Sequence, residues 1–194
     1  MKDGERERSR RFDALFEAFH SDVVAYCRWR GGSTSDAQDV VAEVFLTVWR
    51  RLEDVPGGDA ARVWLYAAAR RTIANQRRSA RRRAALTERI ALTMPPHDPT
   101  SDPEDSLVRQ ALHRLGPLDR EVLLLSEWEG LSPAQIASVL SCPKVTARGR
   151  LHRARRRFRS AFEELTAGEH GERRSRAASQ RPAASVTHTL GGES

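Results

Sequence analysis

Wherever this chain shows a pattern, its apolar residues recur at intervals of three and four. The clearest case is Ala147, Leu151, Ala154, Phe158 and Ala161, spaced by four, three, four and three. That period puts one stripe on one side of an α-helix. A half-buried strand needs a period of two, and no Val/Ile/Thr alternation punctuated by Asn-Gly or Asp-Gly turns occurs. The fold is therefore predicted to be all-α.

The stripes divide the chain into two small helical domains. Phe12, Leu15, Phe16, Phe19, Val23, Tyr26 and Cys27 line a first helix that Gly31-Gly32 ends. Ser35 and Gln38 have capping-box spacing ahead of a second helix with Val41, Val44, Phe45, Val48 and Leu52 on its buried side. After Pro56-Gly57-Gly58, a third helix runs from about Asp59 to Arg83, its apolar side fading into the basic run "RRTIANQRRSARRR". Residues 10–84 form the first domain and 1–9 a flexible N-terminus. The segment 85–104, rich in proline and acid, reads as an extended linker. Residues 105–166 form the second domain, opened by Pro103 at the first helical position with Leu107, Ala111 and Leu115 as its stripe. The Ala/Ser/Gly/Arg-rich residues 167–194 lack periodicity and are expected to be a disordered tail.

The charge balance points to a polyanionic partner. Lys+Arg number 33 against 26 Asp+Glu, a formal net charge of +7, and only Lys2 and Lys144 are lysines. No apolar run reaches the length of a membrane-spanning helix, so no integral membrane segment is expected. The charged start, "MKDGERERSRRF", lacks an apolar signal region, so a cytoplasmic protein is expected. Cys27 and Cys142 stand far apart, as free thiols of a reducing compartment would. Phosphate-binding glycine loops, His-Glu-x-x-His zinc spacing and nucleophile elbows are missing, so neither enzymatic activity, metal nor cofactor is expected.

Residues 132–158 carry the sharpest local pattern. Ser132 and Gln135 form a capping box with Pro133 between them, and Ile136, Ala137, Val139 and Leu140 give a short buried helix. Ser141-Cys142-Pro143 is a turn, and Thr146 is placed to cap the next helix. This is the layout of a helix-turn-helix whose second helix reads the major groove with its N-terminal residues. Residues 141–160 hold no acid, so in water their arginines would repel one another. Arg148, His152 and Arg153 are placed for base edges, and Arg155, Arg156 and Arg159 for phosphates. The second basic run holds seven arginines within residues 70–83 and follows Trp64 and Tyr66, aromatics able to stack on unpaired bases or to serve as core.

Together, "DAQDVVAEVFLTVWRRL", "VWLYAAARRTIANQRR" and "LGPLDREVLLLSEWEGLSPAQIASVLSCPKVTARGRLHRARRRF" resemble the bacterial sigma-70 family, in its small extracytoplasmic-function (ECF, group 4) members. The resemblance covers roughly residues 10–165 and implies a sigma-2 and a sigma-4 domain. It implies a factor that binds core RNA polymerase, at the beta-prime clamp helices and the beta flap, and directs initiation at promoter DNA. The second helix resembles region 2.2, with Asp39, Glu43 and Thr47 as polymerase contacts. The loop "EDVPGGDAA" and the helix after it resemble regions 2.3 and 2.4, with Arg62, Trp64, Arg70, Arg71, Asn75 and Arg78 as contacts to the −10 element. The helix-turn-helix resembles region 4.2, with Thr146, Arg148, His152, Arg153, Arg155, Arg156 and Arg159 on the −35 element. The usual Gly-Thr-Val-x-Ser stands here as Val145-Thr146-Ala147-Arg148-Gly149, without the serine hydroxyl. The acidic linker resembles the segment that threads toward the RNA-exit path. An anti-sigma factor is a further partner that the family allows. A stand-alone helix-turn-helix regulator and a nonspecific RNA-binding scaffold are the alternative readings.

Overall fold

The computed structural model describes residues 2–30, 34–86 and 103–179. Its elements are α1 (Lys2–Trp29), α2 (Thr34–Arg50), a single 3-10 turn (Leu52–Asp54), α3 (Asp59–Leu86), α4 (Pro103–Arg114), α5 (Pro117–Glu127), α6 (Pro133–Leu140) and α7 (Lys144–Ser179). The described residues contain no strand.

In the first domain α1, α2 and α3 pack around the stripes read from the sequence. Val23, Tyr26, Val41, Val44, Val48 and Leu52 are all buried. Phe12, Leu15 and Phe19 are only half-buried against this core, and Phe16 is 39% exposed, tilted against Phe45 and His20 at ring-centroid distances of 4.8 and 4.6 Å. Gly58, at φ 58°, makes the left-handed turn into α3 that a side chain would resist.

In the second domain α7 is the spine, packed by α4, α5 and α6. Ala147, Leu151, Ala154 and Ala161 are buried as their spacing requires, with Phe158 half-buried beside them. The Ser132–Gln135 capping box forms: Ser132 N–H donates to Gln135 Oε1 at 2.8 Å and Gln135 N–H to Ser132 Oγ at 3.3 Å. Ser141 closes α6 in the left-handed region at φ 52°, where Cys142 N–H reaches back to the Ala137 carbonyl at 3.0 Å.

Several boundaries differ from the sequence reading. The supposedly flexible residues 1–9 are helical from Lys2 onward, supported by the ion pairs Asp3–Arg6 (3.6 Å) and Glu7–Arg10 (3.9 Å) one turn apart. Residue 34 is already helical, so Ser35 sits within the first turn and cannot hold the flanking position that capping needs. Thr146 likewise lies inside α7, which starts at Lys144 and lends Ala147 N–H to the Pro143 carbonyl at 3.1 Å. The tail assignment from 167 is corrected as far as Ser179, because α7 continues that far. Extending a formed helix avoids the nucleation cost, and Ala, Glu and Arg are good helix formers. Most of the expected linker, 87–102, and the last residues, 180–194, lie outside the described residues; 85–86 complete α3 and 103–104 open α4.

Both domains share one buried cluster, because α6 and α3 pack directly on each other. Five successive α3 residues, Leu65, Tyr66, Ala67, Ala68 and Ala69, are buried. Successive helical side chains fan out by about 100°, so a helix covered on one side only cannot bury five in a row. The first domain covers part of α3 and the helix-turn-helix covers the rest.

Candidate nucleic-acid interface

The turn between α6 and α7 sets the angle of α7, and the buried stripe Ala147–Ala161 decides which of its faces is free. Arg148, His152, Arg153, Arg156 and Arg159 are exposed on that face, with Thr146 and Arg150 half-buried at its edge. Val145, at 76% exposed, stands uncovered in the first turn.

Two arginines leave the free set. Arg155 forks onto Glu127 at the end of α5, with Nη2 and Nε at 2.7 and 3.0 Å from Oε1, and Nη2 also reaches Ser126 Oγ at 3.2 Å. Arg157 pairs with Asp119 of α5. The expectation that no acid neutralises these arginines fails in three dimensions, because Glu127 and Asp119 of α5 pair with Arg155 and Arg157. Arg155 thus ties α7 to α5 in the free chain.

On α3, Arg71, Asn75 and Arg78 are exposed in a row, and Arg78 Nη2 donates to Asn75 Oδ1 at 2.6 Å. Arg62 and Trp64 are half-buried, Trp64 against the core cluster. Arg70 points elsewhere: its Nε donates to Glu121 Oε1 of α5 at 3.2 Å. On α2, Asp39 and Glu43 are exposed, while the Thr47 hydroxyl bonds back to the Glu43 carbonyl at 2.9 Å. Beside them lie Leu46, 47% exposed, and Trp49, 38% exposed, apolar residues off the buried stripe that the sequence reading passed over. Arg8 lies 5.2 Å over the Trp49 ring.

The sequence reading also passed over the seam between the domains. Glu121 is 4% exposed and accepts from Tyr26 Oη at 2.8 Å, from Arg70 and from Arg30. Tyr66 donates to Glu129, and Tyr66 stacks on Tyr26 with centroids 4.9 Å apart. Burial, then the negative Glu121, pushes the Tyr26 hydroxyl well above its ordinary pKa, against the opposing Arg30. Tyr66 is raised by burial and by its bond to Glu129. Both keep their protons and donate. Burial disfavours the Arg30 charge, but the bond and charge of Glu121 together with Tyr26 outweigh it and the Arg30 pKa rises. Burial lifts the Cys27 thiol to about 11, so it stays protonated near neutrality. No group of three or more His, Cys, Asp or Glu among the described residues could hold a metal, and no described helix is long and apolar enough to cross a membrane.

Residues 15–83 match the family described as Sigma-70 region 2, and residues 106–158 match Sigma-70, region 4. The chain belongs to the sigma-70 family. Its relatives place it in the ECF branch. It is 33% identical over 159 residues to the ECF RNA polymerase sigma factor SigL of Mycobacterium tuberculosis, covering 78% of this chain and 89% of that one. It is 29% identical to the RNA polymerase sigma-H factor of Pseudomonas aeruginosa, covering 83% and 91%. Among solved structures, the sigma factor RpoE of Bartonella quintana, in complex with the anti-sigma factor NepR, shares the fold at a TM-score of 0.62 and 21% identity, over 84% of this chain and 98% of that one. CnrH, solved with the cytosolic domain of CnrY, shares it at 0.56 and 23%, over 80% and 90%. In this sigma factor, region 2 thus takes in α3 with its arginine row, and region 4 the helix-turn-helix.

Proposed function

We propose that this sigma factor joins core RNA polymerase as a dissociable subunit, directs it to promoters, and works in the cytoplasm without catalysis of its own. The helix-turn-helix reads the −35 element, with Arg148, His152 and Arg153 on base edges, Arg156 and Arg159 on phosphates, and Thr146 beside them. Arg62, Trp64, Arg71, Asn75 and Arg78 serve the −10 element, joined by Arg70 once it leaves Glu121. Asp39, Glu43 and Thr47 face polymerase, extended by Leu46 and Trp49. An anti-sigma protein completes the proposed partners. The observation that carries this reading is the free, basic N-terminal half of α7, oriented by its buried stripe and by the turn at Ser141. Run-off transcription with purified core polymerase tests it. Promoter-specific transcripts that depend on this chain are expected; their absence across a genomic promoter library would overturn it.

A further inference from the structure

Val145 is a branched apolar side chain left 76% exposed in the first turn of α7, and it takes no part in the buried cluster. Gly149 stands one turn further on, inside the helix, where glycine is a poorer helix former than alanine. The fold itself does not call for glycine there. Its backbone lies outside the left-handed region, and a Cβ would meet only Arg153 Nη1, 3.5 Å away, an ordinary contact. Helical side chains lean toward the N-terminus, and Arg153, in the third turn, does so, resting its guanidinium over the bare Gly149 backbone. At about 100° per residue, Val145, Gly149, His152 and Arg156 all fall within about 40° of the line opposite the buried stripe. Val145 is thus the apolar side chain on the face that α7 presents.

From this arrangement we infer that Val145 and Gly149 form a socket for the 5-methyl group of a thymine in the −35 element, beside the guanine that Arg153 reads. The inference rests on the −35 contact proposed above and adds base identity to it. Thymine alone among the four bases carries an apolar group on its major-groove edge, and apolar side chains recognise it. Guanine offers its N7 and O6 acceptors there, which suit a guanidinium fork. One helical turn rises about 5.4 Å and base pairs step by about 3.4 Å, so side chains one turn apart meet pairs within about two steps of each other. Val145 supplies the methyl contact. Gly149 supplies the room, because any side chain there would stand between the helix and the base edge.

The test uses holoenzyme reconstituted from core polymerase and the full-length chain. Selection from a promoter library with a randomised −35 element first gives the preferred sequence. Each thymine of that element is then replaced in turn by deoxyuridine, which removes the methyl group and keeps the pairing. Fluorescence anisotropy on labelled duplexes reads the affinity. At one position the wild type is expected to lose about fourfold, the loss that goes with one apolar carbon left unburied. Val145→Ala is expected to bind thymine and deoxyuridine duplexes equally there, whereas Val145→Ile keeps the distinction. Gly149→Ala is expected to raise the melting midpoint, alanine being the better helix former, and yet to weaken binding of the thymine duplex. Misfolding cannot imitate that pair of opposite changes. The socket is overturned if no thymine is selected or if the wild type tolerates deoxyuridine everywhere. It is equally overturned if discrimination survives Val145→Ala, or if Gly149→Ala binds as tightly as wild type. A preferred −35 sequence without methyl dependence sinks the socket alone and leaves the −35 reading standing. No preferred sequence at all sinks both.

Discussion

Arginine is the commonest cation on α7, yet its copies do different work because their neighbours differ. Arg153, proposed for base edges, is exposed in the third turn of α7, whereas Arg159 lies further along the helix. Arg153→Ala is expected to relax base preference within −35, while Arg159→Ala weakens all duplexes evenly and lowers the salt slope by about one. Anisotropy titrations over single-base variants and salt concentrations check this; equal loss of discrimination from both substitutions would contradict it. The Arg155–Glu127 pair is about half exposed on both sides, so Arg155→Ala should cost only about 0–1 kcal/mol of stability, read as a small shift of the denaturation midpoint. Buried Cys27 gives a pH dependence. Its pKa is raised from 9.0 to about 11 in the folded chain, so the folded state holds that proton more tightly. The stabilisation is fully present below pH 9 and is lost as pH rises toward 11. Cys27→Ala should flatten that part of the alkaline melting profile.

At the scale of elements, what could be read from sequence was what repeats locally. The α7 stripe and the Ser132–Gln135 box are determined within one or two turns, and both form as their spacing predicts. Ser132→Ala is expected to cost about 1 kcal/mol through loss of the side-chain cap, and to loosen the angle at which α7 is presented. Thermal denaturation measures the first effect; a drop in −35 affinity larger than that of a distant surface substitution measures the second. The partner of Arg155 was not legible in the sequence because its acid lies 28 residues away on another helix. The helical continuation through Ser179 was missed because good helix formers without an apolar stripe extend a helix without announcing it. Charge at the N-terminus misled in the same way, since Asp3–Arg6 and Glu7–Arg10 are spaced to support a helix as readily as to solvate a coil.

For the whole molecule, two domains could be inferred from their separate periodicities, but their contact could not, because nothing in a single-chain pattern says which surface meets which. The one trace was the unbroken apolar run Leu65–Ala69, which a helix buried on one side does not need. If the contact between the domains gives way when polymerase binds, amide exchange along residues 65–69 should quicken in the polymerase complex relative to the free chain, with Val44 and Val48 in the first-domain core serving as protected controls. Unaltered protection at 65–69 would mean that the domains stay together on polymerase. Three of the five residues in that run, Ala67, Ala68 and Ala69, carry the smallest apolar side chain. Methyl groups let a neighbouring helix come close, but they present little greasy area when it departs. A parting of the domains would therefore uncover mainly methyl groups along Ala67–Ala69, with the larger apolar area confined to Leu65 and to the stacked Tyr26 and Tyr66.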